Sequence, residues 1–287
     1  MKYVDLHVHT NVSDGTLTPT EVVNLAVQKK LAAIAITDHD TIYGIEEAKR
    51  AALAQRENGY ELELISGVEI SAEYKKKDIH ILGLFVNEKD PHLQDILSKA
   101  LKERDERNQK MIDNLSADDI DITLDDLLFD EPNTVITRAH FARFLIEHGY
   151  VKDNNEAFLK YLGYDTKYYV PRNYLTPKDA ISLILQAGGI PVLAHPLLYQ
   201  LSLEELNLLI SELKSYGLVG LETIYSANTG FDEGIIRRYV NKYELLMTGG
   251  SDFHGSNKPR IELGSGMGNL KIPYQLVKEL KCYLNNK

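Results

Sequence analysis

The chain has 287 residues, 44% hydrophobic and 26% charged, the profile of an ordinary globular protein long enough to bury one elaborated domain. Its net charge of −10, from 32 basic and 42 acidic side chains, has the wrong sign for a protein that coats duplex nucleic acid by neutralising phosphates. A single cysteine, Cys282, excludes an intramolecular disulfide and argues against a thiolate metal cluster, and no run of about 18 to 20 apolar residues offers a membrane span.

In chain order, Lys2 to Val8 is predicted as a short strand. Thr18 to Lys30 carries apolar residues at helical spacing, with Thr18 or Thr20 as cap and Pro19 in the first turn. Leu31 to Thr37 is a continuous apolar run suited to a strand buried on both faces. Ile45 to Gly59 reads as a helix that stops at Asn58-Gly59. Glu63 to Ile70 and Asp78 to Val86 are strand-like and bracket a turn holding Lys75, Lys76 and Lys77, a run expected to be solvated. From Pro91 to Gly163 the text turns charged and helical, with no convincing buried strand. The earlier rhythm then returns, with helices at Pro177 to Ala187, Leu203 to Tyr216 and Phe231 to Tyr243. Strands at Ile190 to Ala194, Gly220 to Ile224 and Leu245 to Thr248 alternate with them. Parallel strands alternating with helices imply an α/β sheet or barrel. The expected layout is one α/β domain from residues 1–90 and 164–287, split by a helical insertion at 91–163. The first ten residues lack the pattern of a signal peptide, so the cytoplasm is the expected compartment.

Histidine placement carries the chemistry. Six of nine stand at or just after predicted strand ends: His7, His9, His39, His80, His195 and His254. That rim is where parallel α/β folds build their sites. Asp14, Glu69 and Asp252 share it. His7 and His9 are two apart, so on a strand both point to one face and can grip one cation. Asp38 and Asp40 flank His39, where a carboxylate can orient a ligand ring. Glu69, inside an apolar strand, can bridge two cations. Each piece alone is equally a cap, a turn or a hydrogen-bonded core group. Recurring together at successive strand ends, they read as a polynuclear metal site. Imidazole and carboxylate donors without thiolate suit manganese, iron or zinc better than magnesium. Two or three close cations suit phosphate-ester hydrolysis by cation-bound water, with no side-chain nucleophile. Amide hydrolysis by a binuclear barrel stays open.

The segments DLHVHT with Asp14, TDHDT, GVEIS, IHILG, AHP and SDFHG together resemble the PHP (polymerase and histidinol phosphatase) family, from Tyr3 to about Lys271. The resemblance implies a distorted (β/α)7 barrel with a trinuclear site, manganese being the first expectation and zinc or iron the alternatives. It implies one cation on His7, His9, Glu69 and Asp252. A second would share Glu69 and add His80 and His195, and a third would use Asp14, His39 and His254. The size and the insertion resemble the TrpH-like branch. That branch removes the 3′-phosphate of nucleoside 3′,5′-bisphosphates or trims short 5′-phosphorylated RNA from the 5′ end. TRAHFARFLIEHGYV resembles its substrate-binding stretch, with Arg138 and His140 as phosphate contacts. On a helix these two side chains diverge by about 160 degrees, so both reach one ligand only near the helix start.

Lys258 and Arg260 are further phosphate candidates, and Tyr225 is a candidate base-stacking surface. His92 and His148 read as surface residues. The expected partner is a small phosphorylated molecule or short RNA. Duplex DNA, membranes and an obligate protein partner are not expected. Histidinol-phosphate phosphatase is the nearest rival activity, and a non-catalytic module supporting a polymerase is the rival of a different class.

Overall fold

Strands buried on both faces need helices outside and a sealed interior, and the chain meets both needs by nearly closing its sheet on itself. A computed structural model describes residues 2–129, 134–171, 173 and 175–287. Its seven strands are β1 (Val4–Val8), β2 (Ala33–Ile36), β3 (Glu63–Tyr74), β4 (Lys77–Leu84), β5 (Ile190–Leu193), β6 (Gly220–Tyr225) and β7 (Leu246–Gly250). They lie side by side in chain order. Every residue of β1, β2 and β5 is buried.

β7 returns to β1 through two backbone bonds, from Asp252 N–H to His7 O (2.9 Å) and from His9 N–H to Phe253 O (3.0 Å). Gly250 makes that approach feasible, because a Cβ there would stand 2.2 Å from His7 Cβ.

Helices α1 (Pro19–Gln28) and α2 (Gly44–Glu57) follow β1 and β2. Thr18 caps α1 in a capping box with Glu21. Between β4 and β5 come α3 (Pro91–Ser116), α4 (Leu124–Leu128), α5 (Arg138–Glu147), α6 (Asn154–Ala157) and α7 (Pro177–Gln186). The first turns of α3 pack Leu93 and Leu97 into the barrel's outer core. From Met111 to Tyr168 the helices bury a cluster of their own around Leu115, Phe141, Phe144 and Leu145. Helices α8 (Leu203–Tyr216) and α9 (Asp232–Lys242) flank the later strands. Helix α10 (Gln275–Asn285), for which the sequence reading had no element, sends Leu276, Val277 and Leu280 against the core formed with Val4 and Leu6. Among the described residues, no helix is long and apolar enough to cross a membrane.

The parallel order expected of alternating strands and helices holds for every neighbouring pair except those that include β4. β4 runs antiparallel to both β3 and β5. Only Lys75 and Lys76 separate β3 from β4, with φ of 49° and 62°, the double left-handed turn that suits a two-residue hairpin. A parallel pair would need a crossover of a dozen residues. The reversal matters for the site, because it brings the beginning of β4 to the rim where the parallel strands end. His80, its fourth residue, therefore sits at that rim.

Gly250→Ala should be destabilising by about 1–3 kcal/mol, because the new methyl group would overlap the Cβ and backbone of His7. A urea midpoint indistinguishable from the parent's would mean that the β1–β7 seam can open at no cost.

Candidate metal centre

The site is built where strand ends turn. Asp40, His195 and Asp252 have φ of 53°, 26° and 59°, the sparsely populated left-handed region that recurs where side chains are held for function. On β1 the two-residue period points His7 and His9 the same way, and both are fully buried.

One carboxylate gathers the rim. Glu69 Oε2 lies 3.3 Å from His7 Nε2, 3.2 Å from His9 Nε2 and 3.2 Å from His39 Nδ1. Glu69 Oε1 lies 2.9 Å from His80 Nδ1 and 3.1 Å from His195 Nε2. Asp252 Oδ1 stands 3.6 Å from His7 Nε2, 3.5 Å from His9 Nε2 and 3.3 Å from His254 Nδ1. Across the site, Asp14 Oδ1 is 3.1 Å from His254 Nε2 and 3.5 Å from His9 Nδ1, and its Oδ2 is 3.6 Å from His39 Nε2.

All nine predicted ligand residues therefore meet. Three sets have donor atoms lying within 4.8 Å of one another: His7, His9 and Glu69; His39, Glu69 and His80; and His9, Asp14, His39 and His254. These sets differ in detail from the grouping the resemblance implies. His39 joins Glu69 and His80, His9 faces Asp14 as well as Glu69, and His195 and Asp252 stand beside the first two sets.

The donor chemistry fits divalent cations. Burial opposes ionising Glu69, Asp14 and Asp252, yet surrounding histidines, and Lys258 in the case of Asp252, hold all three well below the usual carboxylate range. Burial and neighbouring imidazoles keep His9 well below its ordinary value, and burial lowers His39. Ionised carboxylates and neutral imidazoles are the forms that bind metal. Among the described residues, buried Asp14 Oδ1, His39 Nδ1 and His195 Nδ1 also make no hydrogen bond. Buried polar atoms rarely stay unpaired without a reason.

Support comes from Glu222, which the sequence reading missed, and from Asp38, Asp40 and Thr137. Glu222 is fully buried on β6. It accepts from His7 Nδ1 (3.0 Å) and from the His195 backbone N–H (2.8 Å). A glutamate in the apolar run of β6 was the available signal, the same one that singled out Glu69. Asp38 accepts from Thr10 N–H (2.8 Å) and Ser13 Oγ (2.6 Å), bracing the turn that carries Asp14. Asp40 accepts from Ser71 N–H (2.8 Å). Thr137, the N-cap of α5, donates from Oγ1 to Asp14 Oδ2 (3.0 Å).

A cleft of about 160 Å³ opens beside His39 and His80, and Asp78, Arg104, Arg138 and Phe158 also line it. Arg138 donates to Asp78 (2.9 Å) and lies over the rings of Phe158 and Tyr164. His140 is directed elsewhere. Its Nδ1 accepts from Thr137 N–H (3.0 Å), closing a capping box, and its ring lines a different cavity with Thr16, Phe129 and Asn257. Lys258 reaches the centre itself, 2.6 Å from Asp252 Oδ2. Arg260 is exposed and stands outside the described lining of the cleft. Tyr225 is buried and donates to Asp252 Oδ2 (2.7 Å), so it offers no face for stacking, contrary to expectation. His92 and His148 are exposed, and Lys75 and Lys76 form the exposed tip of the hairpin.

Imidazoles and carboxylates converging on the rim of a seven-stranded barrel define a protein built around divalent metal ions. The chain belongs to the PHP domain family, whose profile matches residues 5–165. It is 36% identical over 253 residues to the 5′-3′ exoribonuclease of Haemophilus influenzae, covering 88% of this chain and 90% of that one. It is 34% identical over 266 residues to the 3′,5′-nucleoside bisphosphate phosphatase of Chromobacterium violaceum, covering 92% and 91%. A solved structure of a candidate metal-dependent phosphoesterase from Bifidobacterium adolescentis superposes with a TM-score of 0.83 at 32% identity, covering 98% of this chain and 96% of that one.

Glu222→Gln should lower metal affinity or turnover about 10- to 100-fold, since it weakens the acceptor that orients His7; unaltered metal content and turnover would deny Glu222 that role. His140 supplies a pH signature. Burial holds its pKa down at about 4 against 6.5 for the free ring. The unfolded chain therefore takes up this proton first as pH falls, so the stability it contributes is complete above about 6.5 and is lost on acidification toward 4. In metal-free protein, His140→Gln keeps a capping-box residue without a titration and should remove about 3 kcal/mol of that acid sensitivity. Parallel stability–pH curves for parent and variant would contradict this.

Proposed function

We propose that the protein is a divalent-metal-dependent phosphoesterase that hydrolyses the 3′-phosphate ester of nucleoside 3′,5′-bisphosphates and trims short 5′-phosphorylated RNA from its 5′ end. The observation that carries this reading is the gathering of five imidazoles on Glu69 directly beside a cleft furnished with arginine. The names of the two relatives support the same substrates, which share a 5′-phosphate and an ester at the 3′ position.

His7, His9, Asp14, His39, Glu69, His80, His195, Asp252 and His254 are the proposed ligands of two or three cations. Manganese is the first choice on donor type, with zinc and iron the alternatives to test. Such cations supply a hydrolytic water near neutral pH and offset charge on the phosphoryl oxygens. The chain's own part is positioning. Glu222 sets the His7 ring, Thr137 fixes Asp14, and Tyr225 and Lys258 hold Asp252. Arg138 binds the remote 5′-phosphate through its planar fork, exchanging Asp78 for phosphate oxygens. An arginine-lined cleft suits a second phosphate better than the ammonium of histidinol phosphate. The proposed compartment is the cytoplasm.

The test is phosphate release with manganese from adenosine 3′,5′-bisphosphate beside 3′-AMP, 5′-AMP and histidinol phosphate. Preference for the bisphosphate by about tenfold or more is expected from one added charge-assisted contact. Preference for histidinol phosphate would overturn the substrate while leaving the centre intact. Glu69→Gln should lose bound metal and at least about a hundredfold in turnover, more than an outer residue costs. Full metal content and full turnover in that variant would end the polynuclear reading.

A further inference from the structure

We propose that a groove on the far side of α5 receives the nucleoside that follows the scissile phosphate in an RNA substrate, a site that a nucleoside bisphosphate leaves empty. This rests on the reading of the protein as an enzyme for 5′-phosphorylated nucleotides. Arg138 and Arg143 lie five residues apart on α5, about 140 degrees around the helix. Arg138 lines the cleft beside His39 and His80, and Arg143 lines a separate groove of about 400 Å³. Ile146 stands with Arg143 on one wall, and Ser256, Asn257 and Pro259 form the other. Ala139 borders both cleft and groove, so the two openings meet at the first turn of α5.

The groove begins at the other end of the centre. His80 and His254 belong to different donor sets, joined through His39. The cleft opens on the His80 side, whereas the groove's second wall follows His254 in the chain. Asn257 Nδ2 donates to the Asp14 backbone oxygen (2.8 Å), which fastens that wall to the centre. A nucleotide with its 5′-phosphate in the cleft presents its 3′-ester to the centre, and the rest of a chain leaves on the His254 side. Water adds to phosphorus as the bond to the 3′-oxygen breaks and that oxygen takes up a proton. The phosphate therefore stays on the nucleoside in the groove, which becomes the next 5′-phosphorylated end.

The lining suits a nucleoside rather than another phosphate. Ala139, Ile146 and Pro259 are apolar, while Ser256 and Asn257 are neutral groups able to hydrogen-bond ribose hydroxyls or base edges. Arg143 Nε donates to Glu147 Oε1 (2.8 Å), so its charge is offset. Its guanidinium lies 3.8 Å from the centroid of the Phe129 ring. A guanidinium braced over an aromatic ring is a platform on which a base stacks. The groove's volume falls within the range of about 300–1,000 Å³ usual for small-ligand sites.

The experiment measures AMP formation with manganese from 5′-phosphorylated diadenylate and from adenosine 3′,5′-bisphosphate, for the parent and for Arg143→Ala. The variant's loss in kcat/KM should be about 5- to 100-fold greater on the dinucleotide, the value of one base stack. A third substrate, whose second nucleotide lacks its base, reads the same contact without any change to the protein. The parent should cleave it less well than the dinucleotide by a similar factor, and Arg143→Ala should cost little more on it. Equal losses for the variant on dinucleotide and bisphosphate would overturn the proposal. So would full activity of the parent on the substrate lacking the second base. A parent that hydrolyses the bisphosphate and leaves the dinucleotide intact would refute the groove site while the phosphatase reading stands. A parent inactive on both would overturn the substrate reading first, and this proposal with it.

Discussion

Five imidazoles facing one buried carboxylate is the constraint around which the molecule is organised. Glu69 can be approached at 2.9–3.3 Å by His7, His9, His39, His80 and His195 only if five backbone segments end at one rim. β1 must close against β7, which requires a residue without a side chain at Gly250. β4 must run backwards, or His80 would stand at the wrong end of its strand. The chain must turn sharply at Asp40, His195 and Asp252. Each feature is an expense or an irregularity taken alone, and each is what that convergence demands.

The same crowding dictates the electrostatics. Burial, with His254 and His39 close by, holds His9 well below its ordinary value, while His7 is pulled upward by Glu222, Glu69 and Asp252 against its burial. Buried carboxylates outside the donor set do mechanical work. Asp5 fastens Ser251 and Gly264 to β1, Asp38 fastens Thr10 and Ser13, and burial raises both to about 6. The gathered side chains therefore sit on clamped backbone.

The donor set was legible because its logic is local. A histidine or acid directly after an apolar run announces a strand end, and repetition of that pattern turned ambiguous pieces into a site. Strands from β1 to β7 fell within a few residues of their predicted positions for the same reason. The direction of β4 was not drawn from the sequence although the signal was present, since three lysines leave no room for a crossover helix between two strands. Glu222 was passed over because a lone glutamate in an apolar run names no partner, and its partner His7 lies 215 residues away in sequence. Arg104 was hidden more thoroughly. It stands with Arg107 in SKALKERDERNQK, which reads as a solvated helical face, and only the packing of α3 buries both arginines of that series. Long-range partners, rather than residue types, were what sequence alone could not supply.

The barrel and the helical segment divide the labour unequally. All nine gathered side chains belong to the barrel, whereas the cleft wall is shared: Asp14, His39, Ser71, Asp78 and His80 come from the barrel, and Arg104, Arg138, Ala139 and Phe158 from α3, α5 and the turn after α6. Several contacts join the two parts, and one of them touches the centre directly: Thr137 caps α5, and its hydroxyl also holds Asp14. A shift at the start of α5 is thus felt at the centre, and Arg138, the next residue, moves with it. On the proposed function, the barrel would fix what reaction is possible, and the helices between β4 and β5 would supply part of the surface that a phosphorylated molecule meets beside it.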